Sequence, residues 1–322
     1  MSDTGSALHP HNAETAVCTL FEGDYHLGLA AFVNSLVRAG FAGDLWAGYR
    51  GPLPPWTARL EPVPGVAHAF RVAGQLRIVF LKLDTSIHLT NYKPDFMLRL
   101  LAGEARAASY LWYFDPDIFL QSSWAFFSNW QRHGIALCQE IVDNVFPADA
   151  PLRRQWMQIA AGLGLHDPRA VNHYYNAGMV GVPAAAADFL EQWSRLILCA
   201  QSLGCDLGKL AHGSRENPFN IVDQDALNIA VMYASHPLST LGPQGMGFIY
   251  GASTAMHHAV GQKPWRGSFL ARALRGSPPS AAMKSFLAHA DAPIRAYAPL
   301  QLRGKRLACA LATLIGRFYR RA

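Results

Sequence analysis

A chain of 322 residues with 51% hydrophobic content can bury a large core, which excludes a disordered or fibrous protein. The formal charge is +6, and Arg303, Lys305, Arg306, Arg317, Arg320 and Arg321 crowd into the last twenty residues. The rest of the chain is close to neutral, which excludes a general nucleic-acid surface and points to a local basic anchor for an acidic partner.

Residues 1–14 read as a polar tail with neither a basic start nor an apolar run, so no signal peptide is expected. AVCTLF at 16–21 is a predicted first strand, buried on both faces. In EGDYHLGLAAFVNSLVRAG, Leu27, Ala31, Ser35 and Leu36 have helical spacing, and Gly40 fits the helix end. GDLWAGYRG is a second strand, GPLPPW a turn, and LRIVFLKL at 76–83 a third strand. NYKPDFMLRLLAGEA starts a helix after Pro94, and SYLWYF at 109–114 is a fourth strand. GIALCQEI at 134–141 and HYYNAGMVGV at 173–182 are strand-like. PLRRQWMQIAAGLG, AAAADFLEQWSRLILCAQSLG and DQDALNIAVMYA are helical, and FIYGASTAMHHAVGQKPW is a strand and loop. This alternation predicts an α/β domain over residues 15–275, with a mostly parallel central sheet flanked by helices. A C-terminal helical extension follows at 276–322. In such sheets, ligands bind beyond the carboxyl ends of the strands.

Asp115 and Asp117 stand at such an end, in YLWYFDPDIFL. Asp-x-Asp pairs are common in loops, but two carboxylates beside a buried strand repel unless a cation or proton lies between them. Oxygen ligands suit magnesium or manganese. In YYNAGMVGVP, Asn176 is a buried amide beside Ala177 and Gly178, which let backbone approach a ligand. DQDALN looks like a helix start with Asp223 as N-cap and Gln224 and Asp225 in the first turn. MHHAVGQKPW offers imidazoles as metal ligands, Gly261 for a tight loop, and Lys263 as a point charge for phosphate.

These motifs, in this order over residues 15–267, resemble glycosyltransferase family 8, retaining enzymes of the Rossmann-like GT-A fold. The resemblance implies a UDP-sugar donor and a manganese or magnesium ion held by Asp115, Asp117 and a histidine. Counting from Gly261 selects His258, the expected ligand. Counting back from Lys263 selects His257, because one residue is missing between Gly261 and Lys263 relative to the family spacing. Asn176, Ala177 and Gly178 correspond to the strand that lines the donor sugar, and Asp223 and Gln224 to the pair facing the reacting centre. Lys263 corresponds to the lysine that holds the diphosphate, and Thr19, Leu20 and Tyr25 to the uridine contacts. Lys93 stands where the family often has an arginine for diphosphate or sugar. The implied activity is transfer of a hexose to a saccharide or lipid-linked glycan. Alternatives are a sugar-nucleotide or glycan binding protein that has lost catalysis, and a haloacid-dehalogenase-type phosphatase, which also uses an Asp-x-Asp after a strand. That phosphatase motif continues with Thr or Val, where this chain has Phe119.

In RGKRLACALATLIGRFYRR, Leu307, Leu311, Leu314, Ile315 and Phe318 recur at helical spacing between basic ends. This is the pattern of an interfacial helix on an anionic membrane, or of a helix packed on protein. No apolar run is long enough to span a bilayer. The five cysteines, Cys18, Cys138, Cys199, Cys205 and Cys309, form no close metal-type pair, so free thiols are expected. A cytoplasmic location follows, peripheral on the inner membrane face if the helix binds lipid.

Overall fold

The computed structural model describes residues 14–141, 145–210, 217–250 and 254–319. Most of the polar tail expected at 1–14 therefore lies outside the described residues, as do Arg320 and Arg321. The chain opens with β1 (Thr15–Glu22), α1 (His26–Ala39), β2 (Gly43–Arg50), β3 (Glu61–Pro62), β4 (Ala69–Ala73) and β5 (Leu76–Lys82). It continues through α2 (Lys93–Ala102), β6 (Tyr110–Phe114), β7 (Ile118–Leu120), α3 (Trp124–Trp130), β8 (Ile135–Gln139) and α4 (Pro151–Gly162). Then come β9 (Tyr175–Pro183), α5 (Ala187–Ser202), α6 (Val222–Tyr233), β10 (Leu238–Leu241), β11 (Met256–His258), α7 (Phe269–Leu274), α8 (Ala281–His289) and α9 (Pro299–Phe318).

Among the described residues nine strands form the main sheet, in the order β10-β8-β9-β6-β1-β2-β5-β4-β3. Its centre, β6-β1-β2-β5, is parallel, as the alternation of apolar strands and helices predicts. Antiparallel pairing of β9 with β6 and β8, and of β4 with β5 and β3, makes the whole sheet mixed. The short edge strands β3, β4 and β10 were not legible, since each carries too few alternating residues to stand out.

Alternation along each central strand feeds two cores. Leu111 and Tyr113 of β6 join Cys18, Phe96, Trp156, Trp193 and Ile229 on one face. Trp112 and Phe114 join Val17, Phe32, Phe127 and Leu45 on the other. A third cluster contains Phe119, Trp265, Phe269, Phe286, Tyr297, Leu302 and Ala312, and so seats the C-terminal helices on the strand that follows Asp117. Asn34, fully buried in α1, ties this segment down: its Nδ2 donates to the carbonyls of His289 and Ile294 at 2.6 and 2.7 Å, and its Oδ1 accepts from Ile294 N at 2.8 Å.

One local expectation needs correction. Asp223 is not the N-cap of α6; Ile221 occupies that position without a side-chain cap. The carboxylate of Asp225 instead accepts from Asn220 N and Ile221 N at 2.7 and 2.9 Å, which frees Asp223 to turn toward the sheet. Of the apolar residues that recur along α9, Leu307, Leu311, Leu314 and Phe318 share an exposed face and only Ile315 turns inward. Leu302, Cys309, Ala312 and Gly316 are buried and Ile315 packs beside them, whereas Leu300, Leu307, Leu311, Leu314 and Phe318 are exposed. The helix therefore both packs on the domain and presents an apolar stripe outward. No helix among the described residues is long and apolar enough to cross a membrane.

Candidate metal centre and donor cleft

β6 ends at Phe114, and a turn closed by Ile118 N donating to Asp115 O at 3.1 Å reverses the chain into β7. Pro116 sits at the bend, and Gly28 of α1 lies directly beneath it: a Cβ there would come within 2.6 Å of Pro116 O. The turn puts both carboxylates on one side. β11 pairs antiparallel with β7, matching His258 to Ile118 and His257 to Phe119. Successive strand residues face opposite ways, so only one of the two histidines can reach the acids, and it is His258. Its Nε2 lies 3.5 Å from Asp117 Oδ1 and 3.8 Å from Asp115 Oδ2. His257 lines a separate cavity on the other side.

One ligand atom from each of Asp115, Asp117 and His258 lies within 4.8 Å of the others, with Asp117 and His258 buried. Ligand bonds of roughly 2.1 Å put neighbouring donors around a divalent ion about 3–4 Å apart, so the set fits such an ion. Gly178 supplies a second sign of fit. A Cβ at that position would stand 2.5 Å from His258 Cε1 and 3.0 Å from Asp115 Oδ2, so only glycine leaves the cluster room.

Lys263 Nζ reaches Asp117 Oδ2 at 2.5 Å and Ala259 O at 2.9 Å. Burial opposes ionisation of Asp117, but the His258 imidazole and the Lys263 ammonium outweigh it and hold the carboxyl below the usual range. Lys93 is a second buried ammonium, 2% exposed, bonded to Asp223 Oδ2 at 2.9 Å and Ala177 O at 3.0 Å and lying 3.3 Å from Asp115 Oδ1. An ammonium has three protons, and these three oxygens engage them. Burial works against its charge, yet Asp115 and Asp223 more than compensate and raise its pKa. Three carboxylates against two ammonium groups leave an excess of negative charge, which suits a divalent cation.

β9 is shaped to serve this site. Its pairing with β8 jumps from Leu137–Val180 to Cys138–Asn176, so residues 177–179 lose their β8 partners. Backbone groups of this stretch bond to site residues, on the β6 side as well as on the side β8 leaves open. Gly178 O accepts from Asp115 N at 2.7 Å, Gly178 N donates to Asn176 Oδ1 at 2.8 Å, and Ala177 N donates to Gln224 Oε1 at 3.1 Å. Asn176 Nδ2 donates to Glu140 Oε2 in a short hydrogen bond.

These groups line a cleft of about 1000 Å³. Of the residues singled out in the sequence, Leu20, Tyr25, Lys93, Asp115, Asp117, Asn176, Gly178, Asp223, Gln224, His258, Gly261 and Lys263 line it. Ala177 joins through its backbone bonds to Gln224 and Lys93. Thr19 is fully buried in β1 with an unpartnered hydroxyl, and it does not line the cleft. Asp223 Oδ1 is buried without a partner beside the cleft, an acceptor with a lone pair to offer a hydroxyl. Burial raises the Asp223 pKa despite the Lys93 ammonium that opposes it.

Sequence reasoning missed Glu140, which is 9% exposed, lines the cleft and holds both Asn176 and Ile141 N, the latter at 2.8 Å. It follows the apolar run IALCQ at the end of β8, the same strand-then-acid signal that marks Asp115. It also missed the far end of the cleft, where Phe146, Leu152, Gln155, Trp156, Asn217 and Asn220 form a mixed wall.

No known family profile matches the chain, and no curated protein is recognisably similar to it in sequence. Its fold is nevertheless shared with a solved glycosyltransferase. The apo structure of WbbM, a bifunctional glycosyltransferase, superposes with a TM-score of 0.52 at 13% identity, over 93% of this chain. This chain spans about half of that one, 53% of its length. The chain thus has a glycosyltransferase-like α/β fold with an acidic cluster, Asp115, Asp117 and His258, able to hold a metal ion.

Proposed function

We propose that the protein is a metal-dependent retaining glycosyltransferase that moves a hexose from a UDP-sugar to a saccharide or lipid-linked glycan. The observation that carries this reading is the meeting of Asp115 and Asp117 with His258 and Lys263, from distant parts of the chain, at one end of a deep cleft. Asp115, Asp117 and His258 would hold manganese or magnesium. When bound, the ion supplies positive charge to the diphosphate leaving group. Lys263 donates to the same diphosphate after releasing Asp117 to the ion. Leu20 and Tyr25 flank the nucleoside end. Asp223, through its unpartnered Oδ1, accepts from a sugar hydroxyl, and Glu140 is placed to accept from another. Lys93 and Asn176, whose bonds are internal, keep Asp223, Asp115 and Glu140 in position rather than touching the donor.

In the reaction, the bond between the anomeric carbon and the diphosphate oxygen breaks with its electron pair on UDP. The acceptor oxygen bonds to the same face of that carbon, and its proton passes to the departing diphosphate. Gln224, fixed by Ala177 N, lies beside the donor strand and supports the positive charge that develops at the carbon. The stripe Leu300, Leu307, Leu311, Leu314 and Phe318 on α9, with Arg303 and Arg317, seats the enzyme on an anionic membrane surface carrying the acceptor.

The test is UDP or GDP release from a panel of sugar nucleotides, with manganese or EDTA. We expect metal-dependent release from one UDP-sugar. Asp115→Asn and Asp117→Asn should lose about a hundredfold or more and bind UDP without manganese dependence. Hydrolysis of a generic phosphomonoester in place of sugar-nucleotide turnover would favour the phosphatase reading. Metal-dependent UDP-sugar binding without turnover on any acceptor or water would favour a binding protein.

A further inference from the structure

Behind β11, on the side away from the acids, lies a second cavity of about 640 Å³. The C-terminal end of α1 contributes Arg38, the segment leaving β7 contributes Gln121, β11 contributes His257, and α8 contributes Lys284, Ser285 and His289. No carboxylate occurs among the described lining residues. Arg38 and Lys284 are exposed, and neither makes an ion pair with a described residue. Deeper in, His289 is 7% exposed, and its Nδ1 and that of His257 are both buried without a hydrogen-bond partner. Unpaired buried polar atoms are rare in native structures and call for an explanation, such as a ligand. Burial, with smaller contributions from Arg38 and His257, pushes the His289 imidazole down to about 4, so near neutrality it is uncharged and can donate one N–H.

We propose that this cavity binds a phosphate monoester group, with Arg38 and Lys284 supplying charge at the rim and His257 and His289 donating N–H groups from within. Cations and N–H donors without a facing acid favour a tetrahedral dianion over a neutral sugar or a metal ion. The volume exceeds what a bare phosphate needs, so the ester substituent is accommodated against Ala39, Leu120 and Ala288. The site is separate from the metal centre, because adjacent residues of β11 serve the two on opposite faces, and the proposal does not depend on the transferase reading.

The test uses the full chain with isotope-labelled histidine rings in EDTA, titrated with inorganic phosphate and with glycerol phosphate and followed by NMR. We expect saturable shifts of the His257 and His289 signals, with His258 unmoved. Arg38→Gln and Lys284→Gln, both at exposed positions that leave folding intact, should each weaken binding about tenfold. In a parallel arm, vesicles containing phosphatidic acid are sedimented with wild type and both variants. Glycerol phosphate binding without an effect of the variants on sedimentation identifies a soluble ester. Sedimentation that both variants weaken identifies a lipid headgroup. Failure of any ligand to move His257 and His289, together with sedimentation unaffected by both variants, overturns the proposal, as does unchanged affinity in both variants.

Discussion

Replacing Lys93 by methionine removes one positive charge from a place where water cannot replace it. The ammonium lies 2.9 Å from Asp223 Oδ2, with side-chain exposures of 2% and 3%. At that distance the attraction is about 6 kcal/mol at an effective dielectric of roughly 20, before the cost of desolvating both ions is set against it. The variant keeps the buried carboxylate but loses its counterion, and Ala177 O loses its donor. Breaking a buried pair from one side costs about 3–5 kcal/mol. Urea unfolding near neutral pH should show that loss in Lys93→Met. Neutralising the orphan as well, in Lys93→Met with Asp223→Asn, should recover much of it, because the only carboxylate still missing the ammonium is then Asp115, which is partly exposed and keeps the Tyr113 hydroxyl. The reasoning is wrong if Lys93→Met costs less than about 1 kcal/mol, or if the second substitution adds to the loss. The first result would mean that water enters the site; the second, that the amide cannot accept the bonds the carboxylate makes.

Three further outcomes follow from the geometry. Gly178→Ala should fold with a penalty of about 1–3 kcal/mol from overpacking, while manganese affinity, followed by electron paramagnetic resonance, falls tenfold or more because the new methyl displaces His258. Burial raises Asp225 to about 6, against the donors Tyr174, Asn220 and Ile221 that favour its charged form. A raised carboxyl stabilises the fold most below its unfolded pKa, near 4, and that contribution disappears as pH rises through the folded value. The stability advantage of wild type over Asp225→Asn should therefore shrink by about 1 kcal/mol between about pH 5 and about pH 7.5, measured by urea unfolding at each pH. Replacing Leu307, Leu311 and Leu314 together by glutamine should abolish sedimentation with anionic vesicles and leave the melting temperature nearly unchanged, since these side chains are exposed. Deleting residues 299–322 is a poorer test, because it strips Leu302, Cys309 and Ala312 from the third core cluster.

The central strands, the long helices and the acidic pair were legible because each rests on local chemistry. YLWYF must be buried on both faces, and two carboxylates at its end need a cation wherever the chain takes them. Gly40 ends α1 in the left-handed conformation, with φ of 85°, as its place in the sequence suggests. Short edge strands escaped notice, and so did Glu140: its place after β8 is a signal, but its partner Asn176 is brought against it only by the bulge in β9.

What the amino-acid order determined by itself was periodicity, burial of the strands and the list of residues with chemistry to offer. Which of those residues act together was decided by the folded chain. Spacing pointed to His258 but left His257 open; the pairing of β11 with β7 sends His258 toward the acids and His257 behind the strand. Lys93 read as a cation for a ligand, but its protons are engaged by oxygens from three other segments. The physical reason is range: periodicity and capping act over a few residues, whereas a counterion or a ligand set is assembled from groups more than a hundred residues apart.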